Sequence, residues 1–210
     1  MRRLAYLFCF VIFLSISTVH AQQANKLLEA GPMLGYVEMQ EANLWIQTTD
    51  PTDFEIRYQK VGSDDIHSYE GTTQEGESNT AHIKLEDLSY GTTYDYELHL
   101  DGEQVQLSYE TKFTTQQLWQ YRRGAPNFSI AMGSCLFIND KPYDRPGEGY
   151  GKGTGILSEI TEQNPDIMLW LGDNVYYREP DFYSKSRMDY RYQDARNTKF
   201  MQPLLANAIN

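Results

Sequence analysis

Residues 85–98 read LEDLSYGTTYDYEL, a stretch in which a polar turn leads into a strand of alternating apolar and polar residues. Gly91 marks the turn, and the alternation continues to Leu100. Similar alternation occurs in residues 43–49, 54–60, 80–85 and 107–115. Short alternating strands separated by turn signals are typical of an antiparallel β-sandwich. The sequence therefore predicts such a sandwich over residues 22–118.

The same stretch resembles the tyrosine corner of fibronectin type III modules. The resemblance is carried by Leu88, Gly91, Thr93, Tyr94 and Tyr96. In those modules a tyrosine at the start of a strand ties the preceding loop to the sheet through its hydroxyl group. The resemblance implies an immunoglobulin- or fibronectin III-like fold with Trp45 as a core aromatic residue. It carries no information about chemistry, because one fold supports many functions.

The first 21 residues have the organisation of a secretory signal peptide. A positively charged start precedes an apolar run from Leu4 to about Ile16, and Ala21 is a small residue at the expected cleavage point. The run is shorter than the roughly 20 residues that cross a bilayer. We therefore expect residues 1–21 to be removed on export to the periplasm or the extracellular space, and no membrane span to remain.

The net charge argues against nucleic-acid binding, and the cysteine content limits the roles that Cys135 can have. The chain has 18 basic and 29 acidic residues and a net charge of −11, and cleavage would remove Arg2 and Arg3 but no acid, which gives −13. Such a chain repels nucleic acids, and it has no basic patch to bind them. Cleavage also removes Cys9, so Cys135 is left unpaired. An unpaired thiol is an intermolecular bridge, a reactive group, a metal ligand or a buried inert side chain.

The pattern changes after residue 118. Residues 119–126 are interpreted as a linker, and residues 127–135 and 166–174 are apolar runs typical of strands that are buried on both faces. The intervening residues 155–165 place apolar side chains on one helical face. A strand, a helix and a strand in this order predict a βαβ unit in a parallel sheet.

The second half is not expected to form a complete domain. Residues 183–209 are predicted to be helical, but two strands and two helices leave an unpaired sheet edge and little apolar surface to cover it. Residues 127–210 are therefore interpreted as the N-terminal, truncated part of an α/β domain.

Three side chains are expected at the carboxyl ends of the two strands, where the sites of parallel sheets lie. Cys135 follows the first strand, and Asp173 and Tyr176 follow the second. A thiolate, a carboxylate and a phenolate together favour a highly charged cation. Other chemistries fit less well. The glycine-rich residues 145–156 lack the spacing of phosphate-binding loops, and Ser134 lacks a nucleophile-elbow motif.

These motifs resemble the start of the catalytic domain of the alkaline phosphatase D family, which belongs to the calcineurin-like metallophosphoesterases and has an N-terminal fibronectin III-like domain. The stretches that carry the resemblance are SIAMGSC at 129–135, NPDIMLWLGDNVYY at 164–177 and MQPLLAN at 201–207. The resemblance implies an exported phosphomonoesterase or phosphodiesterase that hydrolyses a phosphate ester with water activated at a multinuclear iron and calcium site. By the same resemblance, Cys135, Asp173 and Tyr176 ligate Fe3+, and Asp173 bridges to neighbouring Ca2+.

The chain also departs from that family. The family's Trp-Asp-Asp-His segment and its later ligands are expected beyond residue 210, and no histidine follows His99. The sequence is therefore interpreted as an incomplete, weakly active or inactive fragment. A non-catalytic secreted binding module built on the sandwich, and a redox protein that uses Cys135, are the alternatives. Three arginines either face a phosphate or form ion pairs: Arg178, Arg187 and Arg191.

Overall fold

The computed structural model describes residues 23–210, so the predicted signal peptide at residues 1–21 lies outside the described residues. The strands of the first half are β1 Leu28–Val37, β2 Ala42–Thr48, β3 Asp53–Lys60, β4 Ile66–Thr72, β5 Thr80–Leu85, β6 Thr93–Leu100, β7 Glu103–Gln104 and β8 Lys112–Thr114. One sheet has the order β1-β2-β5, and the other has the order β4-β3-β6-β7, with β8 also paired to β6. All these pairs are antiparallel, which confirms the predicted sandwich.

The two sheets enclose one apolar core. Leu44 and Ile46 of β2 belong to the same buried cluster as Ile56 of β3 and Leu98 of β6. Trp45 is also buried, but the alternation of a strand places it on the opposite face of β2 from Leu44 and Ile46. The prediction that Trp45 is a core residue of the sandwich is therefore wrong.

The sequence did not predict β1 or β4, and the reasons differ. All but one residue of β1 are at least partly buried whichever way the side chains point, so no alternation of apolar and polar residues is needed. Nearly all of β4 is exposed at a sheet edge, and it carries no apolar face. In the predicted strand 107–115, only Lys112–Thr114 is extended and paired, because the chain before it loops out between β7 and β8.

The second half forms the predicted βαβ unit. Its elements are β9 Ile130–Gly133, α1 Gly155–Glu162, β10 Ile167–Trp170, α2 Lys185–Arg196 and α3 Gln202–Asn207, with a 3-10 turn at Glu179–Asp181. β9 and β10 pair in parallel. The helix predicted over 183–209 is two helices, because Pro203 disfavours helical continuation from the preceding residues and instead suits the first turn of α3.

The two parallel strands are covered on one face only among residues 23–210. Met168 packs with Leu157 of α1 and Leu204 of α3, whereas Met132 and Leu169 are exposed at 63% and 44%. The prediction of burial on both faces is wrong for the described residues, because α1 and α3 both pack on the Met168 side. No helix within residues 23–210 is long and apolar enough to cross a membrane.

The C-terminal residues join the two halves. The side chain of Gln202 accepts a hydrogen bond of 2.9 Å from the backbone N–H of Gly31. The backbone N–H of Asn210 donates to the carbonyl of Leu34 at 3.0 Å, and the Asn210 side chain accepts from Trp170 Nε1 at 3.0 Å. β1 is therefore held between its own sheet and α3.

Candidate metal centre at the strand ends

The candidate site lies where β9 and β10 end side by side. Both strands run in the same direction, so their extensions leave the sheet at the same edge. The pairing continues beyond the strands, because the N–H groups of Cys135 and Leu136 donate to the carbonyls of Gly172 and Asp173 at 3.2 and 3.0 Å. This backbone ladder sets Cys135 beside Asp173.

The structure brings the three predicted ligands together. The Cys135 thiol lies 3.7 Å from Oδ2 of Asp173, and the Tyr176 hydroxyl donates to the same oxygen at 3.2 Å. Cys135 and Asp173 are exposed, and Tyr176 is half-buried. A small ligand in solvent can therefore reach all three groups. Their role as metal ligands stays a prediction.

The backbone is strained at two of these positions. Cys135 has φ +61° and Asp173 has φ +49°, and Gly172 between the strand and Asp173 has φ +117°. A side chain in the left-handed region costs roughly 1 kcal/mol, and aspartate tolerates it better than cysteine does. Strain of this kind persists where the surrounding structure imposes it, and it concentrates at functional sites.

The cluster is electrostatically unbalanced. The pKa of the Tyr176 phenol is raised far above its usual value, first by a hydrogen bond with Cys135 and then by burial and the nearby Asp173 carboxylate. Within residues 23–210, Asp173 has no lysine or arginine at ion-pair distance, whereas nearby Asp144 and Asp181 both have arginine partners. The Asp173 carboxylate thus lies beside a thiol and a phenol, and no cationic side chain of the described residues offsets its charge.

The chemical types of the three donor groups fit a trivalent cation, but three donors are few for a metal site. Among the described residues, no group of three or more His, Cys, Asp or Glu side chains could hold a metal ion. The cluster reaches three donors only through the phenol of Tyr176. Thiolate, carboxylate and phenolate are all anionic when bound to a metal, which suits Fe3+.

The three arginines noted in the sequence form ion pairs rather than a phosphate site. Arg178 binds Asp144 at 2.8 Å, and buried Arg191 binds Asp181 and Asp140, each at 2.8 Å. Arg187 lies 3.4 Å from Asp181. The positive charges of these three guanidinium groups are therefore balanced by aspartates and not left free to bind a phosphate.

Sequence reasoning missed an aromatic wall next to the cluster. The ring of Phe137 lies 5.2 Å from that of Tyr176 and 5.4 Å from that of Tyr150. The glycine-rich loop makes this possible, because a Cβ atom at Gly151 would lie only 2.4 Å from the carbonyl oxygen of Phe137. The side chain of Asn139 fixes the approach with two hydrogen bonds to the backbone of Gly151, at 2.6 and 3.1 Å. The only signal in the sequence was the density of glycines.

Comparison with known proteins supports the fold of both halves. Residues 25–118 match the model of a family described as a domain of unknown function (DUF7800), which does not extend to the strand ends. No curated protein matches the sequence. The chain is similar to the solved structure of PhoD, with a TM-score of 0.67 and 14% identity over 89% of this chain and 38% of that one. At this identity the similarity establishes the fold, and the chain spans well under half of the PhoD chain.

Two other solved structures are similar to less than half of this chain. The FN1-FN3 domains of chicken CNTN1 give a TM-score of 0.33 and 16% identity over 40% of this chain and 30% of that one. The fn3 domain of human collagen α-1(XX) chain gives a TM-score of 0.33 and 19% identity over 47% of this chain and 92% of that one.

Proposed function

We propose that this chain belongs to an exported, metal-dependent phosphoric ester hydrolase. Residues 22–118 would form its fibronectin III-like domain, residues 119–126 a linker, and residues 127–210 the first part of its catalytic domain. The observation that carries the proposal is the convergence of a thiol and a phenol on one carboxylate oxygen of Asp173, which has no lysine or arginine at ion-pair distance within residues 23–210.

Two independent lines support this reading of the cluster. The motifs around Cys135 and Asp173 resemble the alkaline phosphatase D family, and the backbone of both halves is similar to PhoD at the level of the fold. The sequence resemblance is carried by motifs in three stretches of the second half, whereas the fold similarity extends over 89% of the chain. Because they depend on different features, their agreement favours a phosphoesterase over a redox protein.

The residues of this chain would divide the work as follows. Cys135, Asp173 and Tyr176 would hold Fe3+, with Asp173 shared with Ca2+. When bound, these cations supply Lewis acidity toward the phosphoryl group of a phosphate ester. The thiolate and phenolate stabilise the ferric state through their negative charge, and the exposure of Cys135 and Asp173 leaves room for an anionic substrate to approach.

A binding module built on the sandwich alone has less support. α3 and residue 210 form hydrogen bonds with Gly31 and Leu34 of β1, so the second half covers part of the sandwich surface. We also propose export to the periplasm or the extracellular space, on the basis of the signal-peptide pattern of residues 1–21.

The proposal is tested by metal binding to residues 22–210. Anaerobic addition of Fe2+ followed by oxidation should give a visible tyrosinate-to-iron absorption band and about one iron per chain. Tyr176→Phe should lose the band, and Tyr177→Phe, which changes the adjacent phenol, should keep it. A band of equal strength in Tyr176→Phe, or no iron bound by the parent chain, would contradict the proposed centre.

A further inference from the structure

Arg178 occupies a place that the proposed function does not explain. It lies two residues after Tyr176, and only 7% of its surface is exposed. Its guanidinium donates through Nη1 to the carbonyl oxygen of Tyr176, through Nη2 to that of Ile138 at 2.7 Å, and through Nε to Asp144 at 2.8 Å. A single side chain therefore contacts both strand extensions.

The guanidinium also fixes an aromatic side chain against the site. It lies 4.3 Å from the centre of the Phe137 ring, and that ring lies 5.2 Å from the ring of Tyr176. Phe137 is thus held between Arg178 and Tyr176. The phenol of Tyr176 is confined by this ring contact on one side and by the hydrogen bond to Asp173 at its tip.

We propose that Arg178 is a positioning residue that holds the Tyr176 phenol at the candidate metal centre, by tying its backbone to the facing extension of β9. The inference rests on the proposed function for the identity of that centre. Backbone hydrogen bonds join the extensions at Cys135 and Leu136, and Arg178 joins them again beyond Tyr176. Tyr176 therefore lies in a segment that is fixed at both ends.

The geometry of arginine is needed for this role. Three nitrogen atoms in one plane donate in three directions while the face of the plane stacks on Phe137. A lysine keeps the charge but has one nitrogen atom and no planar face. Lysine at position 178 can keep the ion pair with Asp144 but not the full set of contacts.

A neighbouring arginine provides a matched control. Arg187 is also paired with an aspartate, Asp181, at 3.4 Å, and stacks on Tyr143 at 4.6 Å. It contacts neither Tyr176 nor Ile138 among the interactions of the described residues. Arg187→Lys therefore changes the same chemical group without releasing the strand extensions.

The test uses residues 22–210 with 3-fluorotyrosine at position 176 and 19F NMR on the metal-free protein. The parent chain and Arg187→Lys should give the same single resonance, displaced from that of the unfolded chain. Arg178→Lys should move the resonance toward the unfolded position and broaden it. In a second measurement, the affinity for iron should fall roughly 10- to 100-fold in Arg178→Lys and remain unchanged in Arg187→Lys.

The outcomes separate the two proposals. An unchanged 19F resonance in a folded Arg178→Lys variant overturns the positioning role. If no variant binds iron but the resonance responds as expected, the positioning role holds and the proposed metal centre fails. If Arg178→Lys does not fold, Asp144→Ala removes the acceptor of the Nε hydrogen bond of the same guanidinium. It should give a smaller displacement in the same direction, and no displacement there also overturns the inference.

Discussion

The thiol of Cys135 lies 3.7 Å from Oδ2 of Asp173, although the two residues are 38 positions apart in the chain. The contact arises because β9 and β10 are adjacent and parallel, and because the backbone pairing continues past both strands. Both residues have positive φ. The strand ends thus hold a thiol and a carboxylate together in a backbone conformation that neither residue prefers.

We expect the strain at Cys135 to be measurable as stability. Cys135→Gly should be more stable than Cys135→Ala by roughly 1 kcal/mol, because glycine adopts a φ of +61° without a steric penalty. Urea denaturation of both variants measures the difference. The adjacent Ser134 is the control, because it is not among the positive-φ residues and the order of its glycine and alanine variants should be reversed. The same order at both positions would contradict strain at Cys135.

Hydrolysis of p-nitrophenyl phosphate by residues 22–210 should be weak or absent. The cluster offers three protein donors, which are Cys135, Asp173 and Tyr176. A site that binds two or more cations requires more donors than that. The rate should be compared with and without added iron and calcium, and with Cys135→Ala as the metal-site control. Strong turnover that survives in Cys135→Ala would show that another site catalyses the reaction.

The tyrosine corner should stabilise the sandwich. The hydroxyl of buried Tyr94 accepts a hydrogen bond of 2.8 Å from the backbone N–H of Ser89. Tyr94→Phe should cost roughly 1 kcal/mol, because that N–H loses its partner. Tyr96→Phe is the matched control, because the Tyr96 hydroxyl is buried and has no hydrogen-bond partner among the described residues. Its removal should leave the free energy of unfolding unchanged or raise it.

Acid should destabilise the protein through Asp181. Burial disfavours its charged form, but the hydrogen bond from Arg191 and the charges of Arg191 and Arg187 outweigh burial and lower the pKa of Asp181 below its usual value. A lowered pKa in the folded state adds stability at pH values above the unfolded pKa of about 4, and that stability is lost as the pH falls through the folded pKa.

Asp181→Asn should therefore cost roughly 3 kcal/mol at neutral pH and reduce the loss of stability below about pH 4. Thermal unfolding between pH 2 and 7 measures both effects. Asp189→Asn, which breaks an exposed pair with Lys185 in α2, should cost roughly 0.5 kcal/mol or less. Equal costs for the two variants would show that burial does not matter for these pairs.

The contact between the two halves should contribute to a common unfolding transition. Gln202→Ala leaves the N–H of Gly31 without its side-chain acceptor, and we expect a cost of roughly 1–3 kcal/mol. Gln163→Ala, an exposed position after α1, should have little effect. Calorimetry should also show a broader transition for Gln202→Ala, and a transition as sharp as that of the parent chain would argue against coupling through this contact.

In the sandwich, the sequence predicted most readily those strands that bury one face and expose the other, because such strands alternate apolar and polar residues. β6 alternates because one face of the sheet meets the core, and its strand and tyrosine corner were both predicted. β1 and β4 were missed because β1 is at least partly buried on both faces, whereas β4 is exposed on both faces. Trp45 was expected in the core of the sandwich, but it lies on the opposite face of β2, where Arg196 of α2 lies 5.2 Å from its ring.

The sequence by itself determined the sandwich, the βαβ unit and the three side chains at the strand ends, because these follow from local periodicity and from the direction of parallel strands. Only the tertiary structure decided what surrounds Tyr176. Arg178 follows β10, whereas Phe137 and Asp144 lie in the loop after β9, and their contacts depend on where that loop folds back. No period or spacing in the chain encodes such a contact, because it is set by packing between segments that are distant in sequence.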